Sequence, residues 1–505
     1  MFFSINGGMS VGRSGVEDAE LHRIAMFKRA KAPAKLIFRD FSLTAHHDVL
    51  NAGLTDDDFI NMFDFFQEAE HVSEKNVRYL DLDFPSDYQL GEAKDNVLPF
   101  SKEDQHMFDV TLYPGTEKVE SIAFFDIYGN NLRTDWYDWR GFRSFVQYFS
   151  RVGEITSEFM YTPSGKRVYE SYYAKNSDGQ RVNSLLKLDD FQGKDYVFRD
   201  LDHLLAFFLD QVNLREGGKN SFLSDRRMVG DYALALMKTD AYKYVYLHNT
   251  HSSDKHDQVH GVMTDGYRIA LEQYPDKLDG IIVQSQRQKS DLEQRLTTST
   301  PIMVLPSGTI PDELWNEPRI PIKERNADQV ISISRRAVEK QIDHMVSAFD
   351  IVHKQIPAIQ LHVYGYGDPR IVQQIDQQVK ELNLGNVVHF DNYVPDLTGI
   401  LNHARLSVLT SIYEGLAIGV IESLAHGIPV VTYDTNYGPG ESVEDGVDGY
   451  VVPVGDIEGF ANKVVKLMTN PSLLQQFSTA AYERSKRFSE SNVWKSWTHE
   501  MPQLG

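Results

Sequence analysis

Not one of the 505 residues is a cysteine. Disulfides, thiol nucleophiles and thiolate zinc sites are therefore excluded together, and the absence fits a reducing compartment. Long apolar runs are missing too: no window approaches about eighteen consecutive apolar residues. The start, Met1-Phe2-Phe3-Ser4-Ile5-Asn6, has neither the basic flank nor the apolar length of a secretory leader. A cytoplasmic protein is expected, at most peripheral at the inner face of the membrane. Positive charge is in deficit, with 51 Lys and Arg against 72 Asp and Glu and a formal net charge of −21. Such a surface repels nucleic acid, so none is expected as a partner, and an anionic ligand needs a local cluster of donors to overcome the field.

What is present reads as a globular α/β protein. Apolar residues make up 41% and charged residues 24%, and the length calls for two or three domains. The apolar stretch Phe2 to Asn6 is broken by Gly7-Gly8 and Gly12. Ser14 and Glu17 then have the spacing of a capping box, and Lys35 to Phe38 follows as a second strand, which together open a βαβ unit. Between residues 46 and 205 this alternation gives way to aromatic-rich segments ending at Gly129-Asn130-Asn131, Pro163-Ser164-Gly165 and Asn176-Ser177-Asp178-Gly179. That spacing predicts an inserted antiparallel β-meander.

Beyond it, Tyr244–Leu247, Gly280–Gln284 and Ile302–Leu305 read as buried parallel strands. A linker rich in Pro and charge, Pro311 to Arg325, precedes a second set: Val330–Ser334, Gln360–Tyr364, Val387–Phe390, Leu406–Thr410 and Val430–Tyr433. Ile342, Met345, Val346, Phe349 and Val352 repeat at helical spacing between the first two. The expected division is a doubly wound domain from 1–45 with 206–315, an inserted sheet over 46–205, a second doubly wound domain over 316–485, and a C-terminal helix over 486–505 packing back on the first domain. Ligands in such sheets sit outside the carboxyl ends of the strands.

Two motifs lie at such ends. Glu414-Gly415-Leu416-Ala417-Ile418-Gly419-Val420-Ile421-Glu422 follows the strand ending at Thr410 and opens a helix that stops at Gly427. A helix N-terminus there offers free amides and a positive dipole to a diphosphate. Ser334-Arg335-Arg336-Ala337-Val338-Glu339-Lys340 follows the first strand of the same domain, and Arg335 and Lys340 can converge on a phosphate pair. Each motif has a bland reading, a solvated Glu pair on a surface helix or a basic helix start. Their order and placement in one domain favour the site.

Arg-x-x-x-x-Lys followed by Glu-seven-Glu resembles the retaining glycosyltransferases of family 4, whose GT-B fold consists of two Rossmann-like domains facing a cleft. Ser14-Gly15-Val16-Glu17, the meander, His248-Asn249-Thr250-His251, Tyr364-Gly365-Tyr366-Gly367 and Tyr437-Gly438-Pro439 are similar to one subgroup. It holds GtfA-like enzymes that modify Ser/Thr of serine-rich surface proteins and TarM- and TagE-like enzymes that glycosylate wall teichoic acid. The resemblance implies a hexosyltransferase that moves glucose or N-acetylglucosamine from UDP-glucose or UDP-N-acetylglucosamine to hydroxyls of a polymer.

On that resemblance Gly15 brings a loop amide to the donor, Arg335 and Lys340 hold the diphosphate, and Glu422 binds the ribose. Glu414 lies at the donor sugar, the amides at Ala417 and Ile418 meet the phosphate, and His248 is the active-site histidine. No cofactor and no metal are implied. His248 and His251, three apart, could also be metal ligands or satisfied structural groups, but with no Cys and no third ligand nearby metal is the weakest reading.

Ala417 departs from the family, which usually has glycine there. The insert is implied in assembly or acceptor engagement, as a homo-oligomer or with a GT-B partner subunit. The rival reading is a non-catalytic GT-B partner that assists a catalytic relative; such partners are expected to lose the clamp and the glutamates, which this chain keeps.

Overall fold

The structure, a computed structural model, describes residues 1–9, 12, 14–394 and 396–504. Two compact units divide the chain: residues 1–13 with 34–243, and residues 14–33 with 244–505. The expected boundary near residue 315 is thus not where compactness divides the molecule. The opening helix and residues 244–315 belong with the C-terminal half.

In the first unit, four strands pair in parallel in the order Ser221–Ser224, Phe2–Asn6, Ala34–Phe38, Phe59–Asn61. Phe2–Asn6 is buried at every position, as a strand covered on both faces must be. Phe59–Asn61 corrects the sequence reading, because residues 46–66 were assigned to the insert. They instead add a strand to the parallel layer and continue into the helix Met62–Phe66, whose first turn is capped by the Asn61 carboxamide. A three-residue strand carries too little periodicity to be recognised.

The insert proper is a ten-stranded meander running from Gln89–Leu90 to Lys194–Phe198, every strand antiparallel to its chain neighbour. Its turns fall where the sequence placed them; Gly165 and Gly179 take φ of 87° and 75°, which a residue with a β-carbon adopts only at a cost. Within the same unit the sheet is fastened by buried polar groups. Arg140 donates to Asp138 at 2.7 and 2.8 Å and to Asp64 at 2.9 Å, and the Gln67 amide donates to the carbonyls of Ser144 and Tyr161 at 2.9 and 2.8 Å.

In the second unit, six parallel strands run in the order Val388–Asp391, Gln360–Tyr364, Gln329–Ile333, Leu406–Leu409, Val430–Tyr433, Gly449–Val452. The chain enters at Gln329–Ile333, adds two strands on one side, then crosses to Leu406–Leu409 on the other. The switch point therefore lies between the two strands whose ends carry the motifs, the place where doubly wound sheets bind ligands. Ile342, Met345, Val346, Phe349 and Val352 are all buried against this sheet. A shorter parallel set, Tyr242–Tyr246, Gly280–Val283 and Ile302–Val304, precedes it.

The opening helix, Gly15–Arg29, begins after Ser14, whose amide donates to the Glu17 carboxylate as the capping spacing requires. The C-terminal helix Glu490–Glu500 lies against it: Phe27 meets Trp494 and Trp497 edge-on at 5.0 and 5.7 Å, and Arg29 pairs with Glu490 at 2.6 Å. No helix among the described residues is long and apolar enough to cross a membrane.

Candidate active site

The two motifs are sewn together by main-chain carbonyls. Gln329–Ile333 and Leu406–Leu409 are direct neighbours, with Val330 opposite Leu406. Just past the second strand the Thr410 hydroxyl donates to the carbonyls of Lys340 and Gln341, both at 2.9 Å, and the Ile412 amide donates to the carbonyl of Glu339 at 2.9 Å. Lys340 ends a short turn, Val338–Lys340, from which Gln341, at φ 44°, redirects the chain into the helix Ile342–Gln355. Its ammonium comes within 2.5 Å of Glu414 Oε1, an oxygen that also accepts from the Ser411 hydroxyl at 2.6 Å. Glu414 is only 8% exposed. The structure thus joins two residues that the sequence placed 74 positions apart, and a pair this dry is held firmly, since removing one partner strands the other charge.

After Glu414 the chain turns into the helix Ile418–Ala425. Ala417 caps it at φ 58° and ψ 77°, in the left-handed region, with no side-chain cap. This conformation aims the amides at Ala417 and Ile418 out of the helix end without an internal partner. It also explains why glycine suits the position: alanine there is strained by about 1–2 kcal/mol. Ala417→Gly is expected to stabilise the protein by about 1 kcal/mol, read as a rise of roughly 2–4 °C in thermal unfolding. An unchanged or lower midpoint contradicts the strain.

Glu422 sits one turn further along this helix. Burial, with the Asp18 carboxylate of the opening helix adding to it, pushes its carboxyl up to about 7, and among the described residues no hydrogen bond brings it down again. The same proximity to Asp18 places the start of the opening helix beside Glu422, and no described residue fills the space that a side chain at Gly15 would occupy. His248 lies on the other side of the glutamate loop. A β-carbon on Gly415 would stand 2.1 Å from the His248 carbonyl oxygen, so the absence of a side chain at Gly415 is what lets the two loops meet.

Arg335 behaves differently from Lys340. Its guanidinium is half exposed and donates to Glu339 at 2.9 Å, a surface pair worth about 1 kcal/mol or less, so it is easily drawn to a stronger anion. It borders a pocket of about 240 Å³ lined also by Arg336, Val338, Glu339, Tyr366 and Asp368.

The region that carries these groups, residues 315–484, matches the family model described as glycosyl transferases group 1. Over 99% of both chains the protein is 22% identical to the UDP-N-acetylglucosamine–peptide N-acetylglucosaminyltransferase GtfA subunit of Streptococcus parasanguinis. It is 24% identical to the poly(glycerol-phosphate) alpha-glucosyltransferase of Bacillus subtilis (strain 168), over 100% of this chain and 75% of that one. The solved structure of the pneumococcal O-GlcNAc transferase GtfA, in complex with UDP and GlcNAc, superposes with a TM-score of 0.82 at 21% identity, covering 100% and 98% of the two chains. Residues 315–484 are a glycosyl transferases group 1 region, and the whole chain is similar to GtfA and to the poly(glycerol-phosphate) alpha-glucosyltransferase alike. Its fold is GT-B.

The second histidine of the 248–251 pair has a plain structural place. His251 is fully buried, its Nε2 donates to the Gln258 carbonyl at 2.9 Å, and burial pushes its pKa down to about 4, so the ring is neutral. Among the described residues no three His, Asp or Glu side chains group in a way that could hold a metal ion. Sequence reasoning assigned no role to Arg336, Tyr366, Thr410 or Asp18. Only Thr410 had a local signal, a hydroxyl at a strand's carboxyl end; the rest gain their places from contacts between distant segments.

Proposed function

We propose that the protein transfers a hexose, glucose or N-acetylglucosamine, from its UDP conjugate to hydroxyls of a polymer. The acceptor is Ser/Thr of a surface protein or the polyol phosphate of a teichoic acid; the two relatives are named for a peptide and for poly(glycerol-phosphate). The observation that carries the reading is the convergence of Lys340, Glu414 and the uncapped amides of the Ile418–Ala425 helix at the sheet's switch point. Lys340 and the amides take the diphosphate, Arg335 turns from Glu339 to join them, and Glu422 accepts from the ribose hydroxyls. The base has the Arg336–Tyr366 pocket.

As the bond from the anomeric carbon to the phosphate oxygen breaks, negative charge grows on UDP in front of preset donors, which is where such donors stabilise most. The acceptor hydroxyl forms the new bond on the same face and passes its proton to the departing phosphate oxygen, so the configuration is retained. His248 and Glu414 line the donor sugar. Phosphate neutralisation by side chains and amides requires no metal, and the proposal includes full turnover in excess EDTA. The meander engages the polymer or a second GT-B chain, either another copy or a partner subunit.

Glu422 gives the reading a pH signature. An ionised carboxylate accepts ribose hydroxyls and a protonated one does so poorly, so UDP affinity should fall as pH drops through about 7. In the free protein the sign is opposite: a carboxyl raised from 4.5 to about 7 adds stability that is fully present below pH 4.5 and is lost as pH rises through 7. Glu422→Gln should therefore bind UDP more weakly, with a flat profile between pH 6 and 8, yet unfold at a higher temperature than wild type at pH 8. Calorimetric titration of UDP across that range checks both; a wild-type affinity that does not change with pH removes Glu422 from the ribose.

A further inference from the structure

The turn at Asn436–Pro439 has no role in the chemistry above, yet it ties down both loops that do. Its backbone is paired with the glutamate loop: the Glu414 amide donates to the Asn436 carbonyl at 3.1 Å, and the Tyr437 amide donates to the Glu414 carbonyl at 3.0 Å. The Tyr437 side chain is fully buried and reaches the opposite way. Its ring lies parallel to that of His251, 13° apart in plane with centroids 6.0 Å apart, and its hydroxyl donates to Asp291 Oδ2 at 2.6 Å.

Asp291 belongs to the helix Gln286–Arg295, and Gln288 of that helix donates through Nε2 to the carbonyl of Asn249, the neighbour of His248, at 2.9 Å. His251 is itself anchored by its bond to Gln258. One phenol therefore spans from the main chain of Glu414 to the two supports of the His248 loop. The approach is close enough that side chains are excluded on both sides, since a β-carbon at Gly438 would stand 2.1 Å from the Gly415 carbonyl oxygen, as one at Gly415 would from that of His248.

We infer that Tyr437 is a positioning residue for the transfer reaction, holding Glu414 and His248 in register through its hydrogen bond to Asp291 and its contact with His251. The inference rests on the reading that Glu414 and His248 line the donor sugar. Two groups on separate loops face one reacting carbon, and a misplacement of about 1 Å between them costs about a hundredfold in rate. Neutral His251 suits the arrangement, since it offers a ring face with no charge to solvate. The diphosphate donors stand on Lys340 and the Ile418–Ala425 helix, whereas the Tyr437 side chain has its hydrogen bonds and ring contact, among the described residues, with Asp291, Gln258 and His251. Loss of the phenol hydroxyl should therefore slow turnover while UDP binding stays intact.

The test uses the full chain and the UDP-sugar it turns over, comparing Tyr437→Phe, Asp291→Leu and the double variant at a temperature where all are folded. The phenylalanine keeps the ring contact and removes only the hydroxyl, with its bond to Asp291 and its longer contact to Gln258 Oε1 at 3.4 Å. Expected results are a fall in kcat of about tenfold to a hundredfold in each single variant, a UDP dissociation constant within about twofold of wild type, and a double variant no slower than Tyr437→Phe, because the short Tyr437–Asp291 bond is lost in all three.

A kcat within twofold of wild type in Tyr437→Phe overturns the inference, as does UDP affinity falling in step with kcat, or losses that multiply in the double variant. His248→Ala is measured alongside. If that variant turns over like wild type, the reading of the site itself fails; if it is inactive while Tyr437→Phe is unimpaired, the positioning role alone fails.

Discussion

Lys340→Ala is expected to lower kcat/KM for the UDP-sugar by about a thousandfold or more and to weaken UDP itself by more than tenfold. Two effects add. The variant removes the positive charge nearest the departing diphosphate, where a single preset donor is worth about 3–4 kcal/mol at the transition state. It also leaves Glu414, 8% exposed and 2.5 Å from the missing ammonium, as a carboxylate with only the Ser411 hydroxyl beside it. A stranded buried charge costs roughly 3–5 kcal/mol or takes up a proton instead. Lys340→Ala/Glu414→Gln relieves the second effect and not the first, so it should recover thermal stability without recovering turnover. Steady-state kinetics with thermal unfolding separates the two; recovered turnover in the double variant would show that Lys340 serves Glu414 and not the phosphate.

The largest effect on folding is expected in the first unit, at Arg140. Its guanidinium is 4% exposed and is bound by Asp138 and Asp64, themselves 4% and 7% exposed, so no water can take its place. Arg140→Met keeps the length and apolar stem but leaves the buried Asp138 carboxylate without its ion pair and Asp64 with His46 as its remaining partner, at 3.0 Å. The expected loss is about 3–5 kcal/mol, or roughly 10 °C in the unfolding of that unit. A shift under about 2 °C would mean that the sheet is held by its apolar contacts alone, among them Phe63 on Tyr169 and Phe41 on Phe145.

The elements most legible in the sequence are those whose signal is local. Ile342 to Val352 announces its buried face by spacing alone, and Gly165 and Gly179 mark turns because few other residues accept their φ. Ser14 and Glu17 place a helix start to the residue. Phe59–Asn61 was hidden by its brevity, and the division into units by the fact that the opening helix packs on Trp494 and Trp497, more than 460 residues on.

The candidate site shows the same contrast. Arg335, Lys340, Glu414 and Glu422 stand in two short spacings, so a reader finds them at once. The departure at Ala417 was visible as a letter, but its cost was not, because only the backbone shows the left-handed turn. Tyr437 and Asp291 are 146 residues apart and no spacing relates them. What local pattern cannot encode is the support behind a site, which is made of contacts between distant segments.

The central claim is that this site passes a sugar from UDP to a polymer hydroxyl without metal. It is tested most directly by incubating the full chain, in excess EDTA, with UDP-glucose or UDP-N-acetylglucosamine against a serine-rich polypeptide and a teichoic acid, and following released UDP together with the mass and anomeric signal of the polymer. One donor and one acceptor are expected to give stoichiometric UDP and an α-linked hexose, at a rate that Lys340→Ala abolishes. Polymer left unmodified by either donor, or transfer that appears only when manganese or magnesium is restored, would contradict the account.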